Sequence, residues 1–266
     1  MSKRVTKKED RIIKDFKKGS RKFKKQRFNK ARSVYKQLAN TPVNTPKLLG
    51  IEDKQLVIER LGKEEVRKQD YQEEVVDQLL LFQFSKVTPR SGWGLRIADN
   101  LWLRTAFDTI ASINKIGFSK TIQCLKLLAS YYVTSQNLSE RILVHNDLNE
   151  GNIVKQQEET YFLDFESATT TKKWLLKDPI HYCFDLEKLK LRASFLNIYL
   201  HRLKKMRPTL YERVNTVKEM QLALLKYVIR KIRKTGSKKH FLFLKTILDT
   251  KQLVLFLEEQ GVKTLS

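Results

Sequence analysis

The sequence predicts an α+β fold, as one large domain or as two lobes around a cleft, with a small β-rich lobe at residues 1–62 and a mainly helical lobe at residues 63–266. Three observations predict it. The first 62 residues contain short apolar runs separated by charged turns. Beyond Gly62, apolar residues recur at helical spacing. Finally, a strand–loop–hairpin pattern at residues 141–166 interrupts the helical part of the chain.

The small lobe is short, and its elements follow one another closely. Charged residues at 8–10 and at 52–54 mark its turns, and two prolines between residues 40 and 46 disfavour helix there. The lobe ends at Glu59-Arg-Leu-Gly62. The predicted elements are hairpin strands at residues 2–7 and 11–16, a helix at 26–40, and strands at 47–51 and 55–58.

The second lobe is predicted to be built from amphipathic helices, because its apolar residues form stripes along one face. We predict helices at residues 71–84, 101–115, 119–135 and 189–203, a helical segment from Pro208, and a last helix or helix pair at 241–257.

The segment Arg141 to Glu166 carries the chemistry. An apolar strand leads into a loop with His145, Asp147 and Asn152, and a second apolar run then ends on Asp164. In phosphoryl transfer, a loop of the form H-x-D-x-x-x-x-N is followed by a metal-binding aspartate after a strand. Asp147 would orient the attacking hydroxyl and accept its proton, while Asn152 and Asp164 would supply the oxygen ligands that Mg²⁺ prefers.

The stretch His145-Asn-Asp-Leu-Asn-Glu-Gly-Asn-Ile-Val154, with Leu163-Asp-Phe-Glu166, resembles the catalytic loop and metal strand of the choline kinase and aminoglycoside phosphotransferase families. Bacterial lipopolysaccharide-core kinases carry a similar Asp-Leu-Asn and Asn-Ile pattern. The resemblance implies a protein-kinase-like two-lobe fold, here with a shortened N-lobe. It also implies an ATP-dependent enzyme that uses Mg²⁺ to phosphorylate a hydroxyl group.

The resemblance also implies roles for residues outside the loop. Lys14 matches the lysine that grips the nucleotide phosphates, and Glu59 and Leu61 lie in the hinge whose backbone receives adenine. His145 is expected to support the catalytic loop. Asp185 resembles a buried aspartate that braces that loop from below.

Two departures from the family pattern concern Lys14. No glycine-rich loop precedes it, and the helix at residues 26–40 has no acidic residue to pair with it. Either Lys14 has another partner, or the nucleotide is gripped differently.

The formal net charge of +24 favours anionic partners such as nucleic acid, an anionic membrane face or a phosphorylated glycan. It argues against choline, which is a cation, as the acceptor. A lipopolysaccharide-core sugar agrees better with this charge. No nucleic-acid-binding motif is present, and the alternative for the charge is a solvated basic surface.

The compartment predicted from the sequence is the cytoplasm, with peripheral contact at the inner face of the cell membrane. The chain has no run of 18 apolar residues and no apolar signal segment, and Cys124 and Cys183 lack metal-ligand spacing. The alternative to a kinase is a pseudokinase or binding module that recruits an anionic partner. The missing glycine-rich loop favours that alternative, and the intact Asp147, Asn152 and Asp164 oppose it.

Overall fold

The computed structural model describes residues 5–16, 24–62, 71–90, 100–134, 138 and 140–263. The first elements are β1 (Val5–Lys7), β2 (Arg11–Asp15), α1 (Lys24–Leu38), β3 (Leu48–Glu52), β4 (Gln55–Glu59), α2 (Gln72–Gln83), α3 (Leu101–Ile110), α4 (Ile113–Ile116) and α5 (Phe118–Thr134). They are followed by β5 (Ile142–Val144), β6 (Ile153–Gln156), β7 (Glu159–Phe162), β8 (Thr169–Thr171), α6 (Lys177–Cys183), β9 (Phe184–Asp185), β10 (Lys190–Leu191), α7 (Ala193–Met206), α8 (Pro208–Arg213), α9 (Thr216–Thr235), α10 (Lys238–Leu248) and α11 (Thr250–Glu259).

The chain divides into two compact units, which confirms a mixed α+β fold with a strand-rich first part and a helical second part. The first unit comprises Met1–Asp99 and Arg141–Thr171, and the second comprises Asn100–Glu140 and Lys172–Ser266. All of the strands β1 to β8 therefore belong to the first unit, together with the loop that carries Asp147. The boundary predicted between residues 62 and 63 adjoins residues 63–70, which lie outside the described residues.

The sheet of the first unit is antiparallel, with strand order β1-β2-β4-β3. Its two hairpins form where the charged turns predict them, and Asp53 and Lys54 take the positive φ values of the second turn. Lys14 pairs with Val5 on one side and with Leu56 on the other. Its backbone is thus fixed by two neighbouring strands.

An aromatic cluster joins α1, α2 and the segment that ends β7 and follows it. Phe82 of α2 stacks on Phe165 with ring centroids 5.6 Å apart, and it meets the Phe162 ring edge-on at 5.9 Å. Tyr35 of α1 also meets Phe165 edge-on, at 4.9 Å. Such pairs contribute about 0.5–1.5 kcal/mol each beyond the burial of their area. The cluster therefore fixes the segment around Asp164 from both helices.

Two short strand pairs hold the segment at residues 141–171. β5 pairs with β8, and β6 pairs with β7 in a hairpin whose turn residues Gln157 and Glu158 both have positive φ. Two successive residues with positive φ give the turn a twist that matches the twist of the flanking strands in a tight hairpin. Because Ile153 pairs with Phe162, the chain returns to the Asn152 end of the hairpin just before Asp164.

The second unit is organised around α9, which buries most of its residues between Glu219 and Ile232. Asn215 caps its start, and Gly236 ends it with φ of 65°. The buried Glu219 carboxylate accepts hydrogen bonds from the amides of Trp174 and Leu176, at 3.1 and 3.2 Å. These bonds satisfy an acidic group that burial would otherwise make costly.

Several element boundaries differ from the sequence prediction. The helix expected at residues 101–115 ends at Ile110 and is followed by the short α4, after which Gly117 turns the chain with φ of 82°. Helix α6 and strand β8 were not predicted, because both are too short to show a clear period. No helix in the described part of the chain combines the length and apolar content needed to cross a bilayer.

Candidate active site

A cavity of about 780 Å³ opens in the first unit, lined by both the sheet and the loop at residues 145–154. The hairpin β1–β2 contributes Val5, Lys7, Glu9, Ile12 and Lys14 to its lining. Helix α1 contributes Tyr35, and the strand end of β4 contributes the segment from Ile58 to Gly62. The remaining wall is formed by residues 150–154 with Leu163 and Asp164.

His145 joins the two strands that lead to the site. Its ring is fully buried, and its Nδ1 accepts a hydrogen bond from the Asp147 amide at 3.3 Å. The proton is therefore assigned to Nε2, which donates to the carbonyl oxygen of Leu163 at 2.7 Å. One imidazole thus ties the backbone of Asp147 to the residue just before Asp164.

Asn152 is oriented by the same loop. Its side-chain Nδ2 donates to the backbone carbonyl of Asp147 at 2.7 Å, and its own carbonyl accepts from the Leu163 amide at 2.9 Å. The Asn149 side chain supports the turn by accepting from the Gly151 amide at 2.9 Å. Because the amide nitrogen of Asn152 is used in this way, its Oδ1 remains the atom suited to a metal ion.

Asp164 follows β7 in the left-handed backbone region, with φ of 61° and ψ of 64°. Aspartate tolerates this region better than most residues, and such conformations occur often at functional sites. The carboxylate lines the cavity with Asn152. Two oxygen-bearing side chains, one neutral and one charged, fit a Mg²⁺ ion that takes its other ligands from phosphates and water.

Lys14 forms ion pairs with two carboxylates of the segment that follows β7. Its Nζ contacts Oδ1 of Asp164 and lies 3.4 Å from Oε1 of Glu166. The Lys14 and Glu166 side chains are 10% and 2% exposed. Of the two possibilities for Lys14, the structure shows the first, a partner outside the helix.

Tyr35 completes this cluster from α1. Its ring is buried, and its hydroxyl is close enough to Asp164 and Glu166 for both carboxylates to act on it. Burial raises the pKa of the Tyr35 hydroxyl, and the negative charges of Asp164 and Glu166 raise it further. The hydroxyl therefore stays protonated. Helix α1 thus places a neutral phenol where the resemblance implies a glutamate.

The strand end that carries Glu59 and Leu61 lies on the cavity wall. The Glu59 amide donates to the Lys47 carbonyl at 2.9 Å, and the Gly62 amide donates to the side chain of Gln156 at 2.9 Å. The Arg60 amide donates to the backbone carbonyl of Asp10 at 3.1 Å, which ties this end to the β1–β2 turn. The segment is held on both sides while Leu61 faces the cavity.

The predicted residues therefore divide into those that line the cavity, two that lie beside it, and Asp185, which belongs to the second unit. Lys14, Glu59, Leu61, Asn152 and Asp164 line one cavity. Asp147 and His145 do not line it. Asp147 is half-buried beside Asn152, whose side chain holds its carbonyl, and His145 lies behind the loop.

The prediction that Asp185 is buried is wrong. Asp185 belongs to the second unit and is exposed. Its Oδ1 accepts hydrogen bonds from the amides of Lys188 and Glu187, both at 3.0 Å, and these bonds lower the pKa of the carboxyl. Flanking apolar residues suggested burial, but burial is confined to Phe184, whose ring stacks on Phe243, while the neighbouring Asp185 is exposed. A buried aspartate does occur nearby, as Asp178.

Two site residues were missed by sequence reasoning, Tyr35 and Glu166. Glu166 was visible as the last residue of Asp-Phe-Glu, but its spacing alone did not indicate a contact with Lys14, which is distant in the sequence. Tyr35 carries no charge, and nothing in the sequence of its basic helix singled it out as a site residue.

No family model matches the chain, and no curated protein matches it either. Solved structures do match the chain. An aminoglycoside phosphotransferase in complex with gentamicin has a TM-score of 0.57 and 13% identity, over 92% of this chain and 87% of that one. A second aminoglycoside phosphotransferase, bound to ADP, has a TM-score of 0.55 and 12% identity over the same shares.

A choline/ethanolamine kinase family protein from Mesorhizobium loti has a TM-score of 0.57 and 12% identity, over 96% of this chain and 87% of that one. At this identity the similarity concerns the fold. The chain therefore has the protein-kinase-like fold of aminoglycoside phosphotransferases and choline/ethanolamine kinases.

Proposed function

We propose that this protein is a Mg²⁺- and ATP-dependent kinase that transfers the γ-phosphate of ATP to a hydroxyl group of a small molecule or glycan. The observation that carries the proposal is the meeting of Lys14, Asn152 and Asp164 on one cavity, next to a loop that holds Asp147. Solved structures with this fold include two aminoglycoside phosphotransferases, one of them bound to ADP, and a choline/ethanolamine kinase family protein.

Each residue has a distinct role in this proposal. The backbone of Glu59 and Leu61 receives adenine, and Lys14 binds the phosphates. Asn152 and Asp164 hold Mg²⁺, which would neutralise charge on the β- and γ-phosphates. Asp147 accepts the proton of the acceptor hydroxyl. The oxygen of that hydroxyl bonds to the γ-phosphorus, and the bond between the γ-phosphorus and ADP breaks, so ADP leaves. A positioned base of this kind contributes about 10²–10⁴-fold to the rate.

The first experiment measures nucleotide binding by thermal shift and calorimetry, with ATP and ADP, each with and without Mg²⁺. We expect stabilisation by ATP that increases when Mg²⁺ is present. A screen of hydroxyl-bearing acceptors with labelled ATP then follows. Absence of both ATP binding and phosphate transfer would overturn the kinase proposal.

The net charge of +24 supports an anionic acceptor, such as a phosphorylated glycan or a lipopolysaccharide-core sugar, over a cationic one. The screen therefore pairs each phosphorylated sugar with its neutral parent, and it includes choline and an aminoglycoside as cationic acceptors. We expect a higher kcat/KM for the phosphorylated member of a pair. Faster transfer to the cationic acceptors would contradict this assignment.

A second part of the proposal is peripheral contact with an anionic membrane from the cytoplasmic side. Large apolar side chains are exposed on the second unit, with Phe107 64%, Ile110 50%, Phe118 69% and Leu242 51% exposed. Soluble surfaces seldom group such residues without a binding role.

Contacts of α3 and α4 with α9, and of α5 with α10, bring these residues to one end of the helical unit. Arg233, at the end of α9, forms an ion pair with Asp108 of α3, and its carbonyl accepts from Lys115 at 2.6 Å. Lys120 of α5 lies 4.9 Å from the ring of Phe241 at the start of α10. Lys115 and Lys120 thus lie at the same end of the unit as the apolar residues, a combination that suits a surface that binds anionic lipids.

Co-sedimentation with phosphatidylglycerol and phosphatidylcholine vesicles tests this surface. We expect binding to the anionic vesicles that weakens with salt, because exposed charges are screened beyond about 8–10 Å at physiological ionic strength. Phe107→Ser with Phe118→Ser should reduce binding, whereas Leu49→Ser, an exposed apolar position of the first unit, should not. Equal binding of all proteins to both lipids would exclude this surface.

The alternative function is a pseudokinase or binding module that recruits an anionic partner. The ion pair of Lys14 with Asp164 favours this alternative, because Lys14 occupies the carboxylate that is proposed to bind Mg²⁺. A binding module should retain its anionic partner in the Asp147→Asn variant and should transfer no phosphate in the wild type. Phosphate transfer by the wild type would exclude this alternative.

A further inference from the structure

We infer that Glu166 is the positioning residue for Lys14, in place of an acidic residue on α1. The inference rests on the proposed function, because it assigns Lys14 to the nucleotide phosphates. It concerns the residue two positions after the proposed metal ligand Asp164.

The helix packed beside the sheet cannot supply the carboxylate. Helix α1 runs from Lys24 to Leu38 and contains no aspartate or glutamate. Its residue at the cavity is Tyr35, whose hydroxyl stays protonated. A buried lysine requires an anionic partner, because an uncompensated charge in the interior is strongly destabilising. The partner of Lys14 must therefore come from another segment.

Glu166 meets this requirement from the short 3₁₀ turn Phe165–Ser167. Its Oε1 lies 3.4 Å from the Lys14 ammonium, and its side chain is 2% exposed. The turn is held in place by the edge-on contact of Tyr35 with Phe165 at 4.9 Å. Helix α1 thus acts indirectly, by fixing the turn that carries the acidic group.

The two carboxylates that contact Lys14 differ in their access to the cavity. Asp164 is 29% exposed and lines the cavity, whereas Glu166 is 2% exposed and does not. A bound Mg²⁺ would compete with Lys14 for Asp164. Glu166 does not line the cavity, so an ion held there by Asp164 would leave the contact of Glu166 with Lys14 in place.

Nucleotide binding provides the first test. Glu166→Gln keeps the shape of the side chain and removes its charge. We expect it to weaken ATP binding by about tenfold, since hydrogen bonds to charged groups contribute about 1.5–3 kcal/mol. The affinity for adenosine should not change, because adenosine has no phosphates. Glu166→Asp, which keeps the charge, should restore part of the affinity.

Glu158→Gln is the matched control, because Glu158 also pairs with a lysine, Lys155 at 3.0 Å, but is 88% exposed and outside the cavity. It should leave both affinities unchanged. Equal loss of ATP and adenosine affinity in Glu166→Gln would indicate a general structural role and would overturn the inference.

Protein stability without any ligand provides the second test. In the wild type, Glu166→Gln removes a partner of Lys14 and should lower the melting temperature. In a Lys14→Met background, Asp164 and Glu166 are left as neighbouring carboxylates without their shared cation. There Glu166→Gln should raise the melting temperature, because it removes one of two like charges.

The opposite signs in the two backgrounds distinguish the contact from unrelated effects of the substitution. The same decrease in both backgrounds would show that Glu166 does not act on Lys14. If the wild type bound no ATP, the proposed function would fail, but the change of sign would still be measurable. The two conclusions can therefore fail separately.

Discussion

The Nε2 atom of His145 lies 2.7 Å from the carbonyl oxygen of Leu163, while the Nδ1 atom of the same ring accepts the amide of Asp147. A buried ring thus sets the distance between the loop of the proposed base and the strand of the proposed metal ligand. Neither contact requires a charge on the imidazole. Both contacts depend on the two ring nitrogens, so a residue that keeps an aromatic ring but lacks those nitrogens tests the role of His145.

His145→Phe should keep the ring packing against Phe82 and Phe165 but lose both hydrogen bonds. We expect a loss of about 1–3 kcal/mol in the free energy of unfolding, because two partly buried hydrogen bonds of about 0.5–1.5 kcal/mol each are lost. Phosphate transfer should also fall. Urea denaturation and a transfer assay measure the two effects. His201→Phe, at an exposed position, is the control, and equal stability of both variants would contradict the prediction.

Asp164→Ala should abolish the Mg²⁺-dependent part of ATP binding while the fold stays intact. The carboxylate is the charged oxygen ligand on the cavity wall, and Mg²⁺ uses few protein ligands in such sites. Calorimetric titration with ATP, with and without Mg²⁺, measures the effect. Asp185→Ala, which removes an exposed aspartate of the second unit, should bind like the wild type. Unchanged Mg²⁺-ATP affinity in Asp164→Ala would remove this assignment.

Asp147→Asn should lower turnover by about 10²-fold or more, because the variant keeps the shape of the loop but loses the proton acceptor. Nucleotide affinity should change little, since the Asp147 side chain does not line the cavity. The measurement is phosphate transfer to an acceptor found in the screen, with slow ATP hydrolysis as a second readout. Equal turnover in the two proteins would exclude Asp147 as the base.

Glu219→Gln should change how stability depends on pH. Burial raises the pKa of the Glu219 carboxyl above its unfolded value, although hydrogen bonds from Tyr131 and from backbone amides oppose the shift. The folded state therefore binds more protons than the unfolded state between the two pKa values. Stability from this group is complete below the unfolded pKa and decreases as the pH rises through the folded one.

This pH dependence is tested by measuring the melting temperatures of the wild type and Glu219→Gln side by side across the acidic range. The wild type should lose stability relative to Glu219→Gln as the pH rises from about 4.5, the ordinary value for glutamate. A constant difference between the two proteins at every pH would show that Glu219 does not titrate differently in the folded state.

Much of the fold could be predicted from the sequence, because it depends on the local spacing of apolar residues and on charged turns. The hairpin of β1 and β2 follows from two apolar runs around a charged turn, and the helices α1, α2 and α5 begin and end within about two residues of their predicted bounds. The α6 helix and the β8 strand were missed because three to seven residues are too few to show a period.

The sequence by itself determined which residues meet around Asp147. His145, Asp147 and Asn152 lie within one loop, and the β6–β7 hairpin brings Asp164 to it, so their proximity depends on local chain geometry. Only the tertiary structure decided the partner of Lys14 and the exposure of Asp185. Lys14 meets Glu166 across 152 positions of sequence because the end of β2 and the turn of Glu166 both pack against α1, and no spacing along the chain encodes such a contact. The exposure of Asp185 likewise depends on how its turn is oriented, which the flanking apolar residues do not specify.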